Sequence, residues 1–159
     1  MERTSATKNH YKIGLFFVAI NEFNMGSSEF SSLGKKITQF DTAIHAFNQV
    51  IQMSNTLTSI VVFLNKSDIF LNHAKNPSFM SAFKKQFPKF GGDDGNSAMQ
   101  YLAHYFQGIY SDLSENVNLS RQLPVHITCA LDTDAMGVVF NTVRTNIFSA
   151  TLGTSGFEM

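Results

Sequence analysis

Asn65, Lys66 and Asp68, broken only by Ser67, form the group in this chain best equipped to read a polar planar ring. The Asp68 carboxylate is acceptor-only and takes two protons together, which suits a ring N–H beside an exocyclic amine. The Asn65 amide donates to a ring nitrogen or carbonyl and braces its own loop. The Lys66 stem lies along a flat face while its ammonium stays wet. That set of partners belongs to guanine. Adenine presents no adjacent pair of donors and would leave a desolvated carboxylate unpaired, so such a site discriminates by about 10⁴-fold or more. An Asn-Lys-x-Asp string arises by chance in roughly one or two chains in a hundred of this length, and an ordinary polar turn after a strand uses the same letters. The tetrapeptide alone therefore does not decide the matter.

A second signal does. Thr128-Cys129-Ala130 closes another apolar run just before a helical pattern. A small residue at Ala130 lets its backbone N–H approach the guanine O6 closely, where a larger side chain would block it. Cys129 reads as a small packing residue beside the base. As a thiolate nucleophile it would need a base, and none lies in sequence reach. Both signals sit at the carboxyl ends of predicted strands, where an open α/β sheet places its ligand.

The elements that must hold these loops are legible from periodicity. Ile13–Ile20, Ser59–Leu64 and Val125–Ala130 are short runs rich in β-branched or aromatic residues, and they mostly lack polar alternation. Such runs suit parallel strands covered on both faces. Ile37, Phe40, Ile44, Phe47 and Ile51 line one helical face, as do Met99, Leu102, Phe106, Ile109 and Leu113, with Asn96 or Ser97 available as N-cap. Met136, Val139, Phe140, Val143 and Ile147 predict a last helix capped by Thr133 or Asp134. The order β-α-β-α-β-α predicts an α/β layer with right-handed crossovers. Residues 90–96 and 111–124 read as polar connections, not domain linkers, so residues 1–159 form one unit. Three strands make a thin sheet for a nucleotide-binding α/β domain, which implies that something is absent.

Bulk properties set the outer bounds. The 159 residues are 43% hydrophobic and 15% charged, enough to bury a core. Lys+Arg and Asp+Glu balance at 12 each, which leaves no electrostatic footprint for nucleic acid. One cysteine excludes an internal disulfide and fits a reducing compartment. No apolar run approaches the roughly 18–20 residues that span a bilayer, and Met1-Glu2-Arg3 offers no glycine for myristoylation.

Other candidates read as structure. Asp132, Asp134 and Gly137 occupy three positions of a calcium loop, but Met136 and Val143 fill two others that require oxygen, so helix capping is the better account. The five histidines show no metal spacing, and His126 reads as strand interior. Among sixteen phenylalanines, Phe40, Phe47, Phe106 and Phe140 fall on helix inner faces and predict core. Phe16 and Phe17 are adjacent on a strand and must face opposite sides.

Thr58-Ser-Ile-Val-Val-Phe-Leu-Asn-Lys-Ser-Asp-Ile-Phe70 resembles, nearly letter for letter, the strand and base-reading motif of heterotrimeric G-protein alpha subunits. Val18-Ala-Ile-Asn-Glu-Phe23 is similar to that family's preceding strand end, and Phe87-Pro-Lys-Phe-Gly91 to the segment before its next helix. His126-Ile-Thr-Cys-Ala-Leu-Asp-Thr133 resembles its second base-reading loop, with Leu131 where threonine is usual. Leu152-Gly-Thr-Ser-Gly-Phe157 is similar to its receptor-recognising tail, running about one residue longer. The resemblance begins near Glu2-Arg3, which looks like the end of the second switch, and covers essentially the whole chain. It implies the carboxy-terminal part of a Ras-like domain, that is, a partial P-loop NTPase fold of three parallel strands with flanking helices. It also implies GTP or GDP as ligand, read by Asn65, Lys66, Asp68, Cys129 and Ala130. The implied partners are a G-protein-coupled receptor contacted through Leu152, Gly156 and Phe157, a βγ dimer whose interface is largely missing, and an unspecified effector. The implied location is the cytoplasmic face of the plasma membrane.

The phosphate-handling half of that family is missing from these residues. Gly26 and Gly34, followed by Lys35-Lys36, stand eight positions apart where a phosphate loop needs five, and lysine replaces the Mg²⁺-binding hydroxyl. There is no switch arginine and no glutamine placed to orient water, and the one Asp-x-x-Gly string, Asp134-Ala-Met-Gly137, falls after both base-reading loops, away from where the resemblance would put a Mg²⁺ site. Those parts supply nearly all transition-state stabilisation in GTP hydrolysis, so the chain alone is expected to be catalytically inactive. Base contacts without phosphate contacts imply about −4 kcal/mol or weaker, a millimolar dissociation constant. Two rivals accompany this reading. One is a non-enzymatic decoy that occupies a receptor without nucleotide, and the other is a degenerate small GTPase, against which the tail argues. Loss of the phosphate-loop strand would also leave the Ile13–Ile20 strand as a bare apolar edge open to partner addition.

Overall fold

The computed structural model describes residues 12–30, 36–54, 58–114 and 122–129, with the pairs 136–137, 140–141 and 144–145. Three parallel strands, β1 (Lys12–Ala19), β4 (Thr58–Asn65) and β5 (Val125–Ile127), form a sheet in the order β1-β4-β5. β1 runs in register with β4 from Lys12 opposite Thr58 to Ala19 opposite Asn65. β5 pairs from Val62 opposite Val125 to Leu64 opposite Ile127. These are the three expected strands. The third is shorter than its apolar run, because the chain beyond Ile127 leaves the ladder to bond elsewhere.

A single 3₁₀ turn, Ile20–Glu22, follows β1. It leads into a bulged antiparallel hairpin of β2 (Gly26–Phe30) and β3 (Lys36–Thr38). This hairpin is absent from the periodicity reading, since its glycine- and serine-rich residues carry no apolar alternation. It contains Gly26, the first glycine of the phosphate-loop decoy, as the start of a strand.

Helix α1 (Gln39–Met53) begins one residue after Thr38, which caps it: the Asp41 N–H donates to Thr38 Oγ1 at 3.1 Å and the Thr38 N–H returns to Asp41 Oδ2 at 2.9 Å. This reciprocal cap places Ile37 in β3 and outside the helix it was expected to begin. Helices α2 (Ser67–Ala74) and α3 (Pro77–Gln86) follow β4. Asn76 caps α3 by accepting from the Ser78 N–H at 2.9 Å, with proline at the first position, where its missing N–H is harmless. Helix α4 (Gly95–Ser114) is capped by Asp94, not by Asn96 or Ser97. Asp94 Oδ1 accepts the Ser97 N–H at 3.0 Å, and the Ser97 hydroxyl, whose bond holds the Asp94 carboxyl below its usual pKa, donates to the other oxygen at 2.6 Å. A Cβ on Gly95 would stand 2.8 Å from the Ala74 methyl, so this glycine lets α4 start directly against the end of α2.

One face of the sheet carries the main core. Val18, Ile60, Val62 and Leu64 pack there against Phe47 and Ile51 of α1 and against Leu102 and Phe106 of α4. Aromatic rings fill the space beneath α2 and α3. Phe83 is fully buried and lies 4.7 Å from Phe87, 5.1 Å from Phe90 and 5.2 Å from Phe23 between ring centroids. Phe40, Phe47 and Phe106 are buried as expected. Phe140 is 62% exposed and is not core, since no described element packs over it. Periodicity assigns a residue to a face but does not supply a neighbour for that face.

The other face is uneven. Val61 and Phe63 of β4 are buried there, whereas Leu15 and Phe17 of β1 are 45% and 54% exposed. Phe16 and Phe17 do point to opposite sides: Phe16 lies 5.2 Å from Phe47 in the core, and Phe17 stacks on Phe63 at 4.7 Å. His126 covers the far side of Phe63, its ring stacked at 5.6 Å. Burial lowers its pKa below the ordinary 6.5, and its Nε2 is buried without a hydrogen-bond partner, so an imidazolium there would carry an unpaired N–H. The folded state therefore binds this proton less readily than the unfolded chain. Stability should decline as pH falls below about 6.5 and level off once the folded-state pKa is passed. Urea unfolding between pH 7.5 and 5 checks this, and His126→Phe, which keeps a ring on Phe63, should remove that part of the slope.

Candidate functional site

Strand β4 delivers its last residue, Asn65, to the carboxyl edge of the sheet, and the chain reverses at once into α2. The reversal is made by Lys66, whose φ of 64° and ψ of 37° make it the only non-glycine residue of positive φ among the described residues. A left-handed lysine costs about 1–3 kcal/mol and persists only where its surroundings over-determine it. They do so here. Asn65 is held in the ladder against Ala19 on one side, and the Lys66 carbonyl accepts the Phe70 N–H at 3.0 Å to begin α2 on the other.

No side chain caps α2. Its first N–H, that of Ser67, instead donates to the Thr128 carbonyl at 3.2 Å, and the Thr128 N–H donates back to the Leu64 carbonyl at 2.9 Å. These two backbone bonds draw β5 out of its ladder and bring the loops at 65–68 and 128–129 together on one end of the sheet. Thr128 is buried at this junction, and Cys129, a free thiol, is half-buried beside it.

Within the junction, the Asn65 Oδ1 is buried without a hydrogen-bond partner. Asp68 lies in the first turn of α2, exposed, with no hydrogen bond or ion pair among the described residues. Its two carboxylate oxygens are thus open to incoming donors at the start of α2. Lys66 does not leave its ammonium simply in water: Nζ pairs with Glu22 Oε1 at 3.0 Å, the two side chains being 41% and 32% exposed. A pair that open contributes only about 0.2–1 kcal/mol to stability. Glu22 was not singled out by its chemistry in the sequence, because a contact across 44 positions leaves no local pattern.

Ala130 lies outside the described residues, as do the tail residues Leu152, Gly156 and Phe157 and the capping candidates Thr133 and Asp134. Residues 136–137, 140–141 and 144–145 are helical, in the region of the expected last helix. Among the described residues no helix is long and apolar enough to cross a membrane.

A parallel α/β sheet whose strand ends gather an Asn-Lys-x-Asp turn and a Thr-Cys turn has the architecture of part of a nucleotide-binding domain. The family model described as "G-protein alpha subunit" matches residues 9–147, and the chain belongs to that family. It is 30% identical over 136 residues to the guanine nucleotide-binding protein alpha-2 subunit of Dictyostelium discoideum, covering 85% of this chain and 34% of the relative. It is 31% identical over 144 residues to the guanine nucleotide-binding protein subunit alpha of Sporothrix schenckii, covering 89% of this chain and 37% of the relative. The alpha-3 subunit of Caenorhabditis elegans is 32% identical over 96 residues, covering 60% of this chain and 24% of the relative. The chain thus spans about a third of the length of the first two.

Proposed function

We propose that this chain is the base-recognising part of a GTP- and GDP-binding signal transducer, with guanine held by Asn65, Lys66, Asp68, Cys129 and Ala130. The observation that carries the reading is the pair of backbone hydrogen bonds joining Ser67 to Thr128 and Thr128 to Leu64. They fix two loops of complementary chemistry at one strand-end crevice. The side chains suit the ligand: Asp68 offers two acceptor oxygens for N1–H and the exocyclic amine, and the Asn65 amide nitrogen can donate to N7 or O6. Phosphates and Mg²⁺ would need groups beyond these residues, so the chain by itself is expected to bind with a dissociation constant of about a millimolar and not to hydrolyse GTP at a useful rate. Leu152, Gly156 and Phe157 are the receptor contacts in this reading, with a βγ dimer and an effector as further partners at the cytoplasmic membrane face.

An NMR titration of the full chain with GDP and, separately, ADP tests the base-reading claim. GDP should shift the amides of residues 65–68 and 128–130 with a dissociation constant of about a millimolar, while ADP leaves them in place at the same concentrations. Equal response to both nucleotides, or shifts confined to other residues, would refute it.

A further inference from the structure

Glu22 sits where a positioning group would have to sit. The 3₁₀ turn that carries it is anchored on both sides, by Ile20 and Phe23, each fully buried. Phe23 packs edge-on against Phe79 at 4.9 Å and Phe83 at 5.2 Å, both in α3, and its ring lies 6.3 Å from that of Phe70 in α2, the helix that Lys66 starts. The backbone of the turn is closed by the Met25 N–H donating to the Glu22 carbonyl at 3.0 Å, and the Met25 carbonyl accepts the first N–H of α1, from Gln39, at 2.8 Å. From this rigid mount the Glu22 carboxylate reaches across 44 positions to the Lys66 ammonium. The residue at the other end is the left-handed one, whose side chain direction follows from that unusual backbone and whose flexible stem has no other hydrogen-bonding partner among the described residues.

We propose that Glu22 is a positioning residue for the base-reading loop: its pairing with Lys66 fixes where the lysine stem runs and steadies the left-handed turn that aims Asn65 and Asp68. The inference rests on the guanine reading given above and adds to it a residue from a different strand end. The pair is too exposed to serve mainly as a stabilising contact. Its effect is to remove the rotamer freedom of a long side chain before a ligand arrives, a cost otherwise met on binding. An aspartate in place of Glu22 would reach less far and steady the turn only in part.

The test uses the full chain in two measurements. In the ligand-free protein, Glu22→Gln should shift the amide resonances of residues 65–68 while lowering the thermal midpoint by about a few degrees at most, and Glu22→Asp should shift them less. Unmoved resonances would overturn the inference whether or not nucleotide binds. In titrations, Glu22→Gln should weaken GDP binding by about two- to fivefold, and the same change made on Lys66→Met should have no further effect, because Glu22 acts only through the lysine. An undiminished loss in the Lys66→Met background would also overturn it. If wild-type chain fails to prefer GDP over ADP, the base-reading claim is what fails, and the ligand-free resonances still decide the role of Glu22.

Discussion

Asp68→Asn should exchange guanine for xanthine. The carboxylate accepts two protons from guanine, one on N1 and one on the exocyclic amine. An asparagine keeps one acceptor but turns a donor toward that amine, placing two N–H groups face to face. Xanthine carries a carbonyl where guanine carries the amine, so it pairs with the new donor and still gives its N1–H to the remaining acceptor. Mismatches of this kind, in sites built to hydrogen-bond, discriminate by about 10⁴-fold; exposure of Asp68 in this chain reduces the expected change to about 10²-fold or more. GDP titrations that saturate near a millimolar in the parent should show no response in the variant, with xanthosine diphosphate taking its place. A variant that still binds GDP as the parent does would remove Asp68 from the site.

The second large effect lies in the aromatic core. Phe83 is fully buried, and its ring meets Phe23, Phe70, Phe87, Phe90 and Tyr101, which come from four separate parts of the chain. Phe83→Ala deletes the shared neighbour of all five and leaves a cavity that rigid rings collapse into poorly. The expected cost is about 3–5 kcal/mol, against a total stability of roughly 5–15 kcal/mol for a domain. The thermal midpoint should drop by roughly 10 °C or more, followed by far-UV circular dichroism, and Phe83→Leu should recover part of it. A loss under about 1 kcal/mol would mean that the rings repack freely and that the cluster is not what seats α2.

The parts of this fold visible in the sequence are those written as local pattern. The three strands are unbroken apolar runs because both faces of a parallel strand tend toward cover, and α1 and α4 step by three and four because one face of each meets the sheet. Helix α3 had a signal too, in Asn76 followed by Pro77, a cap and a first-turn residue in sequence. Helix α2 had none, since a left-handed lysine and a borrowed carbonyl start it in place of a capping side chain. The β2–β3 hairpin is bulged and poor in alternating apolar residues, so period two never shows. Of the candidate site, Asn65, Lys66 and Asp68 could be found by their chemistry, and the approach of Thr128 was implied by strand order. The Glu22 contact could not be found this way, because it depends on how β1 and β4 lie side by side. Phe140 marks the opposite limit: a helical face read from periodicity says nothing about whether anything lies opposite it.

The Ser67–Thr128 bond has a mechanical corollary. No side chain caps helix α2, and its first N–H bonds to the peptide just past the neighbouring strand β5, so the two turns are joined through one backbone bond. A displacement of the Thr128 peptide would therefore bear first on the Ser67 N–H, at the start of the helix whose first turn carries Asp68.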